Sequence, residues 1–297
     1  MNILVSGSTG LVGRALVSHL ASLGHVVSRL VRGSAEDAEV TWDPGAGTID
    51  ASALGELDGV VHLAGENIAA GRWNEDKKAR IRDSRVDGTG LLARTLSKME
   101  QPPEVMVSAS AIGFYGDRGD EILEETSTPG SGFLAETCHA WEMAATPASE
   151  KGIRVVHPRI GMVLTQSGGA LRKMLLPFKL GFGGVIGSGD QYMSWVTLED
   201  LLGILTHCLT DKTRSGPVNA VSPNPCTNRE FTKTLGRVLI RPTLFPMPAF
   251  AARLAFGEMA DALLLSGARV IPGKLTESGY AHQHPELETG LRYVLGK

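Results

Sequence analysis

The chain has 297 residues, 42% of them apolar, with a formal net charge of −3. This length is enough to bury a sizeable core, and the dispersed, near-neutral charge gives no basic face for nucleic acid or anionic lipid. Cys138, Cys208 and Cys226 lie far apart with no CxxC pair, which predicts a reducing compartment rather than a disulfide framework. With no signal-peptide pattern and no apolar run of the roughly 18 residues a membrane helix needs, the expected location is the cytoplasm.

The first predicted strand, Ile3–Ser6, runs straight into Gly7-Ser8-Thr9-Gly10-Leu11-Val12-Gly13, and a helical pattern follows over Leu11–Leu23. A strand, a glycine turn and a helix in this order predict a cradle for a dinucleotide pyrophosphate. Gly7 permits the tight turn. Gly10 removes a side chain where the pyrophosphate approaches the backbone, and Gly13 lets the helix pack on the strand. Thr9, Leu11 and Val12 complete the cradle. The second strand, Val26–Val31, ends in Leu30-Val31-Arg32-Gly33. An Asp or Glu at this strand end would bind a ribose 2′-hydroxyl, but Val31 stands there and the guanidinium of Arg32 follows. A guanidinium pairs with a 2′-phosphate, so the cofactor expected is NADP(H). The plainer reading of Arg32 is a solvated strand-end residue. Arg14 and Arg29 are weaker phosphate candidates, and Glu36 and Asp37 come too late to fill the acidic position.

Further strands are predicted at Val40–Trp42, Val60–Leu63, Val105–Ser108 and Ile153–Pro158, with helices over Glu75–Lys98 and Phe133–Lys151. Alternating strands and helices predict an α/β fold, a Rossmann-like doubly wound parallel sheet. Past residue 160 the pattern becomes loop-rich, with short helices at Leu198–Leu209, Asn228–Leu239, Ala249–Phe256 and Ala260–Leu265. The expected division is a cofactor-binding core over 1–165 and a smaller, mostly helical substrate-side lobe over 166–297 that does not fold alone and returns some segments to the core. Its glycine-rich loop from Gly181 to Trp195 reads either as a pocket wall or lid, or as simple turn chemistry.

Three segments add a resemblance. Val60-Val61-His62-Leu63-Ala64-Gly65, Ser84-Arg85-Val86-Asp87-Gly88-Thr89 and Ser108-Ala109-Ser110 leading to Tyr115-Gly116 resemble the extended short-chain dehydrogenase/reductases. Gly65-Glu66-Asn67-Ile68, Gly71-Arg72-Trp73-Asn74, Met174-Leu175-Leu176-Pro177-Phe178, Ser194-Trp195-Val196 and Asn228-Arg229-Glu230-Phe231 narrow it to the "epimerase family protein" group of atypical members. The resemblance covers essentially the whole chain, including a C-terminal domain of unknown role. It implies an NADP-dependent oxidoreductase or a relative of sugar-nucleotide epimerases, with Leu63, Ala64 and Gly65 over the adenosine and ribose. Arg85, in the place of a usual Asn, is expected to serve the cofactor.

The resemblance also exposes a gap. Active members carry Tyr-x-x-x-Lys on the helix after the fifth strand, where the Lys cation lowers the phenol pKa for acid/base work. Here that helix reads Phe133-Leu134-Ala135-Glu136-Thr137-Cys138-His139, with neither residue at the spacing. The literal match Tyr293 and Lys297 lies at the far end of the chain and reads as chance. Two groups remain as catalytic candidates: Ser110, aligned with the family's substrate-binding Ser or else a strand-end residue, and Tyr115, able to donate a proton if its pKa were lowered or else a packing residue with a solvated tip. His62 and His157 read as structural histidines. Cys138 and His139 are adjacent on a helix and point about 100° apart, so they form no nucleophile pair. Arg80 reads as a phosphate contact or a solvated charge. No cluster has metal-ligand spacing. The partner implied is a small molecule, and the competing reading is a non-catalytic NADP(H)-binding or redox-sensing protein.

Overall fold

In a computed structural model that describes residues 1–33, 36 and 38–297, the chain begins with β1 (Asn2–Ser6), α1 (Leu11–Ser22), β2 (Val26–Val31), β3 (Glu39–Asp43), β4 (Thr48–Ile49) and β5 (Gly59–His62). It continues with α2 (Glu75–Ser97), β6 (Val105–Ser108), β7 (Ser110–Ala111), β8 (Ile122–Leu123), α3 (Phe133–Met143), α4 (Thr146–Glu150), β9 (Arg154–Ile160), β10 (Met162–Leu164) and α5 (Gly169–Lys179). The remainder holds β11 (Tyr192–Met193), β12 (Trp195–Thr197), α6 (Leu198–Thr210), β13 (Gly216–Ala220), β14 (Cys226–Thr227), α7 (Asn228–Leu239), α8 (Ala249–Phe256), α9 (Glu258–Ala260), β15 (Arg269–Val270), α10 (Gly273–Glu277) and α11 (Leu287–Leu295).

The central sheet runs β13-β9-β6-β5-β1-β2-β3-β4, with β7 also paired to β9. Among these pairs only β3 with β4 is antiparallel. Alternate side chains of each strand feed opposite layers. Ile3, Val5, Val61 and Val107 pack with Leu16 and Leu20 of α1 and with Leu201 and Leu205 of α6. Leu4, Leu30, Val60 and Met106 pack with Leu92 and Leu96 of α2 and with Ala148 of α4. This is the expected doubly wound α/β fold. The strand order reverses beside β1, between β2 and β5, and the crevice above that switch point is where such sheets bind ligands.

A third cluster builds the C-terminal lobe from Leu171, Leu175 and Phe178 of α5, Phe231, Leu235 and Val238 of α7, Trp195 and Leu291. One segment of that half, β13, returns to the central sheet and pairs with β9 from Gly216↔Val156 to Ala220↔Ile160.

Three elements differ from expectation. The helix expected over Phe133–Lys151 is broken into α3 and α4, because Pro147 has no N–H to donate to the Met143 carbonyl. The Thr146 hydroxyl donates to that carbonyl instead, at 2.6 Å. The strand expected to end at Pro158 continues to Ile160. On the β6/β7 side the pairing lapses beside the proline, between Val107↔Val156 of β6 and Ser110↔Arg159 of β7, while on the other side Pro158 stays in register with Val218 of β13. The helix expected at Ala260–Leu265 is instead the end of α9 followed by a π-helical turn, Asp261–Leu265.

Candidate functional site

The glycine turn is built by close backbone approach. Gly7 has φ +67°, and a Cβ there would lie 2.7 Å from the Leu63 carbonyl carbon. A Cβ on Gly13 would sit 2.1 Å from the Gly7 oxygen, so any side chain would separate α1 from the turn. The Gly10 amide donates to the Gly7 oxygen at 2.9 Å. No side chain caps α1, and its first turn holds no acidic residue. Its leading amides are therefore open to an anion, which fits a pyrophosphate. Thr9 is exposed beside them, while Leu11 and Val12 are half-buried. Leu11 lies against Gly168 at the start of α5, where an added Cβ would come within 3.0 Å of its Cδ1.

Ser6 locks this turn to the next strand. Its Oγ accepts from the Leu63 and Ala64 amides at 3.1 and 3.3 Å and lies 2.6 Å from His62 Nδ1. The hydroxyl proton is thus donated to Nδ1, which leaves the other ring nitrogen, Nε2, protonated. Burial pushes the His62 pKa down to about 4. The neutral imidazole stands edge-to-face with Trp42, the ring centroids 5.9 Å apart. His62 is therefore structural, as its apolar strand suggested.

At the end of β2, Val31 is half-buried and Arg32 exposed. Arg29 is occupied by Glu39 at 2.8 Å. The Glu36 amide donates to the Glu39 carboxylate at 2.8 Å, and Asp37 lies outside the described residues. Across the crevice, Gly65 faces the Arg85 guanidinium, which an added Cβ would approach to 3.2 Å. Arg85 Nη1 donates to the Glu66 and Ile81 carbonyls at 3.1 and 3.0 Å, and its guanidinium lies 5.1 Å from the Trp141 ring centroid. With these bonds Arg85 holds the loop that follows Ala64. The Lys77 ammonium, hydrogen-bonded to Glu66, holds that carboxyl below its usual range. Arg80 is exposed on the same helix.

Phe133 takes no part in acid/base chemistry; its ring packs 5.3 Å from Trp73, centroid to centroid. Burial pushes the Cys138 thiol up to about 12, while the neighbouring His139 is exposed. Ser110, buried at the end of the central sheet, donates to Glu142 Oε1 at 2.7 Å. Arg159 grips the same carboxylate with two bonds, Nε to Oε1 at 2.8 Å and Nη2 to Oε2 at 2.9 Å. Its Nη1 donates to the Tyr115 hydroxyl at 2.9 Å, and that hydroxyl donates to Asn219 Oδ1 at 2.7 Å.

For Tyr115 the condition for proton donation, a lowered pKa, is not met. Its pKa is raised, chiefly by burial, rather than lowered toward neutrality, and both its proton and a lone pair are engaged. Tyr115 thus acts as a structural link between Arg159 and Asn219. Glu142, Arg159 and Asn219 did not emerge from the sequence reading. The signal that marks the site is a charge, Arg159, inside the apolar run Val155-Val156-His157-Pro158-Arg159-Ile160: a buried guanidinium requires an anionic partner. Tyr293 of α11 stacks on His284, which precedes that helix, with ring centroids 4.0 Å apart, in the C-terminal lobe. Among the described residues no group of His, Cys, Asp and Glu is placed to hold a metal, and no helix is long and apolar enough to cross a membrane.

A parallel sheet, a glycine turn at its switch point and a Ser at the end of the strand system define a Rossmann-type dinucleotide-binding protein. Residues 3–221 match the NAD dependent epimerase/dehydratase family, and residues 247–294 match a domain of unknown function, DUF1731. The chain belongs to the NAD-dependent epimerase/dehydratase family. It is 42% identical over 293 residues to the epimerase family protein MT2273 of Mycobacterium tuberculosis, covering 98% of this chain and 97% of that one. The crystal structure of human epimerase family protein SDR39U1 (isoform 2) with NADPH superposes with a TM-score of 0.92 at 36% identity, covering all of both chains. The nucleoside-diphosphate sugar epimerase of Corynebacterium glutamicum gives a TM-score of 0.82 at 38% identity, with all of this chain covering 58% of that one.

Proposed function

We propose that the chain binds NADP(H) in the crevice between the glycine turn and the Leu63-Ala64-Gly65 loop. On this reading it acts as an NADP(H)-dependent oxidoreductase or epimerase-like enzyme on a small carbonyl, hydroxyl or sugar-nucleotide compound. The observation that carries it is the uncapped N-terminus of α1 behind the Gly7, Gly10 and Gly13 backbone, with Arg32 exposed at the end of β2. The NADPH of the human relative's structure supports the same choice of cofactor. The amides at the start of α1 would hold the pyrophosphate and Arg32 the 2′-phosphate. Bound there, the nicotinamide supplies hydride donation or acceptance.

Ser110 is the group proposed to meet the substrate oxygen. Its proton is committed to Glu142, so its lone pairs are left to accept from a substrate hydroxyl. Arg159 fixes Glu142, and with it the direction in which Ser110 points. Glu142 and Arg159 are positioning residues in this account.

The test follows the absorbance of reduced nicotinamide formed from NADP+ with a panel of hydroxyl and nucleotide-sugar compounds, and its loss from NADPH with the corresponding carbonyls. Turnover that falls about a hundredfold in Ser110→Ala, with NADPH affinity unchanged, is the expected result. Turnover across the panel no faster than in Gly10→Asp contradicts it. That outcome, combined with tight NADPH binding, favours the second reading: a binding or redox-sensing protein. Phe133 in place of an ionisable residue supports that alternative.

A further inference from the structure

Large apolar side chains gather in the open on one part of the C-terminal lobe. Leu176 (66% exposed), Leu180 (62%) and Phe182 (63%) stand at the end of α5. Leu244 (75%), Phe245 (57%), Phe250 (72%) and Leu254 (76%) come from the segment after α7 and from α8. The two groups are held together. The Phe182 and Phe245 ring centroids are 5.7 Å apart, and Arg241 Nε donates to the Lys179 carbonyl at 2.9 Å. The Met247 amide donates to the Val185 carbonyl at 2.8 Å and the Met247 carbonyl accepts from Gly187 at 2.9 Å. Leu176 and Leu180, like Phe250 and Leu254, are one helical turn apart and share a face.

We infer that this face is the contact surface between two copies of the chain, related by a two-fold axis. The first argument is area. An exposed aromatic or large aliphatic side chain offers on the order of 100–150 Å², so the face presents roughly 800 Å² of apolar surface. The largest apolar patch of a typical monomer is about 300–600 Å², and a stable interface needs about 800 Å² from each partner. The second argument is charge. The nine residues from Pro242 to Phe250 carry no ionisable side chain. Of the neighbouring cations, Arg253 pairs with Asp261 at 2.9 Å, Arg241 donates to backbone carbonyls and Lys173 to the Ala69 carbonyl, while Lys179 is exposed beside Leu180. A face so poor in charge suits a copy of itself, since isologous contact brings few like charges together. The third argument is rigidity. Pro242, Pro246 and Pro248 restrict the segment, and a Cβ on Gly184 would lie 1.9 Å from the Phe245 oxygen. A surface already fixed in shape loses little entropy on docking.

Sedimentation velocity of the full chain over a dilution series tests the inference. Wild-type protein is expected to sediment at twice its 31.5 kDa chain mass. Phe245→Asp and Leu254→Lys, each retaining the wild-type circular dichroism spectrum, are expected to sediment at the single-chain mass. Met143→Asp, at an exposed apolar position on α3, is expected to leave the dimer intact. A monomeric wild type, dimers in both face variants, or dissociation by Met143→Asp overturns the inference. A monomer that pelleted with phosphatidylcholine–phosphatidylserine vesicles, and lost this in Phe245→Asp, would overturn it by assigning the face to a lipid surface.

Discussion

His62 shows how one buried side chain serves the cradle and makes stability depend on pH. Its Nδ1 accepts a hydrogen bond from the Ser6 hydroxyl, which leaves the Ser6 Oγ lone pairs to accept the Leu63 and Ala64 amides beneath the crevice. Its folded pKa of about 4 lies below the value of about 6.5 expected in the unfolded chain. The unfolded chain thus takes up the proton first as pH falls. The stability contributed by the neutral ring is complete above about pH 6.5 and is lost between there and pH 4, to a total of roughly 3 kcal/mol. Burial lowers the His157 pKa too, in the same direction. Urea unfolding from pH 7 to pH 4.5 should show a falling midpoint, and His62→Asn should be less stable at pH 7 but flatter with pH. A slope as steep in the variant as in the wild type would contradict this assignment.

Among the elements, α7 carries the lobe through Phe231, Leu235 and Val238, and it starts from a reciprocal cap. The Thr227 hydroxyl accepts from the Glu230 amide at 3.2 Å, while the Glu230 carboxylate accepts from the Thr227 amide at 2.7 Å. Thr227→Ala should cost about 1 kcal/mol, read as a lower thermal midpoint; an unchanged midpoint counts against the cap. Elements with an unbroken pattern were legible in the sequence: α7 and α8 have the bounds expected of them, and β2 and β6 likewise. Elements with breakers inside their own span were not. The paired glycines Gly168-Gly169 and the internal Pro177 hid α5, and Gly216-Pro217 reads as a turn although it opens β13. As an edge strand, β13 tolerates a residue without an N–H.

At the scale of the whole molecule, sequence and structure differ in what each makes visible. The glycine turn is local in sequence, so its spacing could be read directly. The polar centre is assembled from distant positions. Ser110 on β7, Glu142 on α3, Arg159 on β9 and Asn219 on β13 meet only when the sheet is assembled and α3 is packed on it. The Asn219 amide then donates to Glu125 at 2.9 Å, and Asn219 Nδ2 donates to the Ile271 carbonyl at 2.9 Å, joining the core to the segment before α10. No spacing rule reaches across such separations. The central claim is that this frame holds NADP(H), with Arg32 selecting the 2′-phosphate, and calorimetric titration with NADPH and NADH tests it most directly. NADPH should bind at least tenfold more tightly than NADH, and Arg32→Ala should remove most of that preference while leaving NADH affinity unchanged. Equal affinities for the two in the wild-type protein, or no binding of either, would contradict the account.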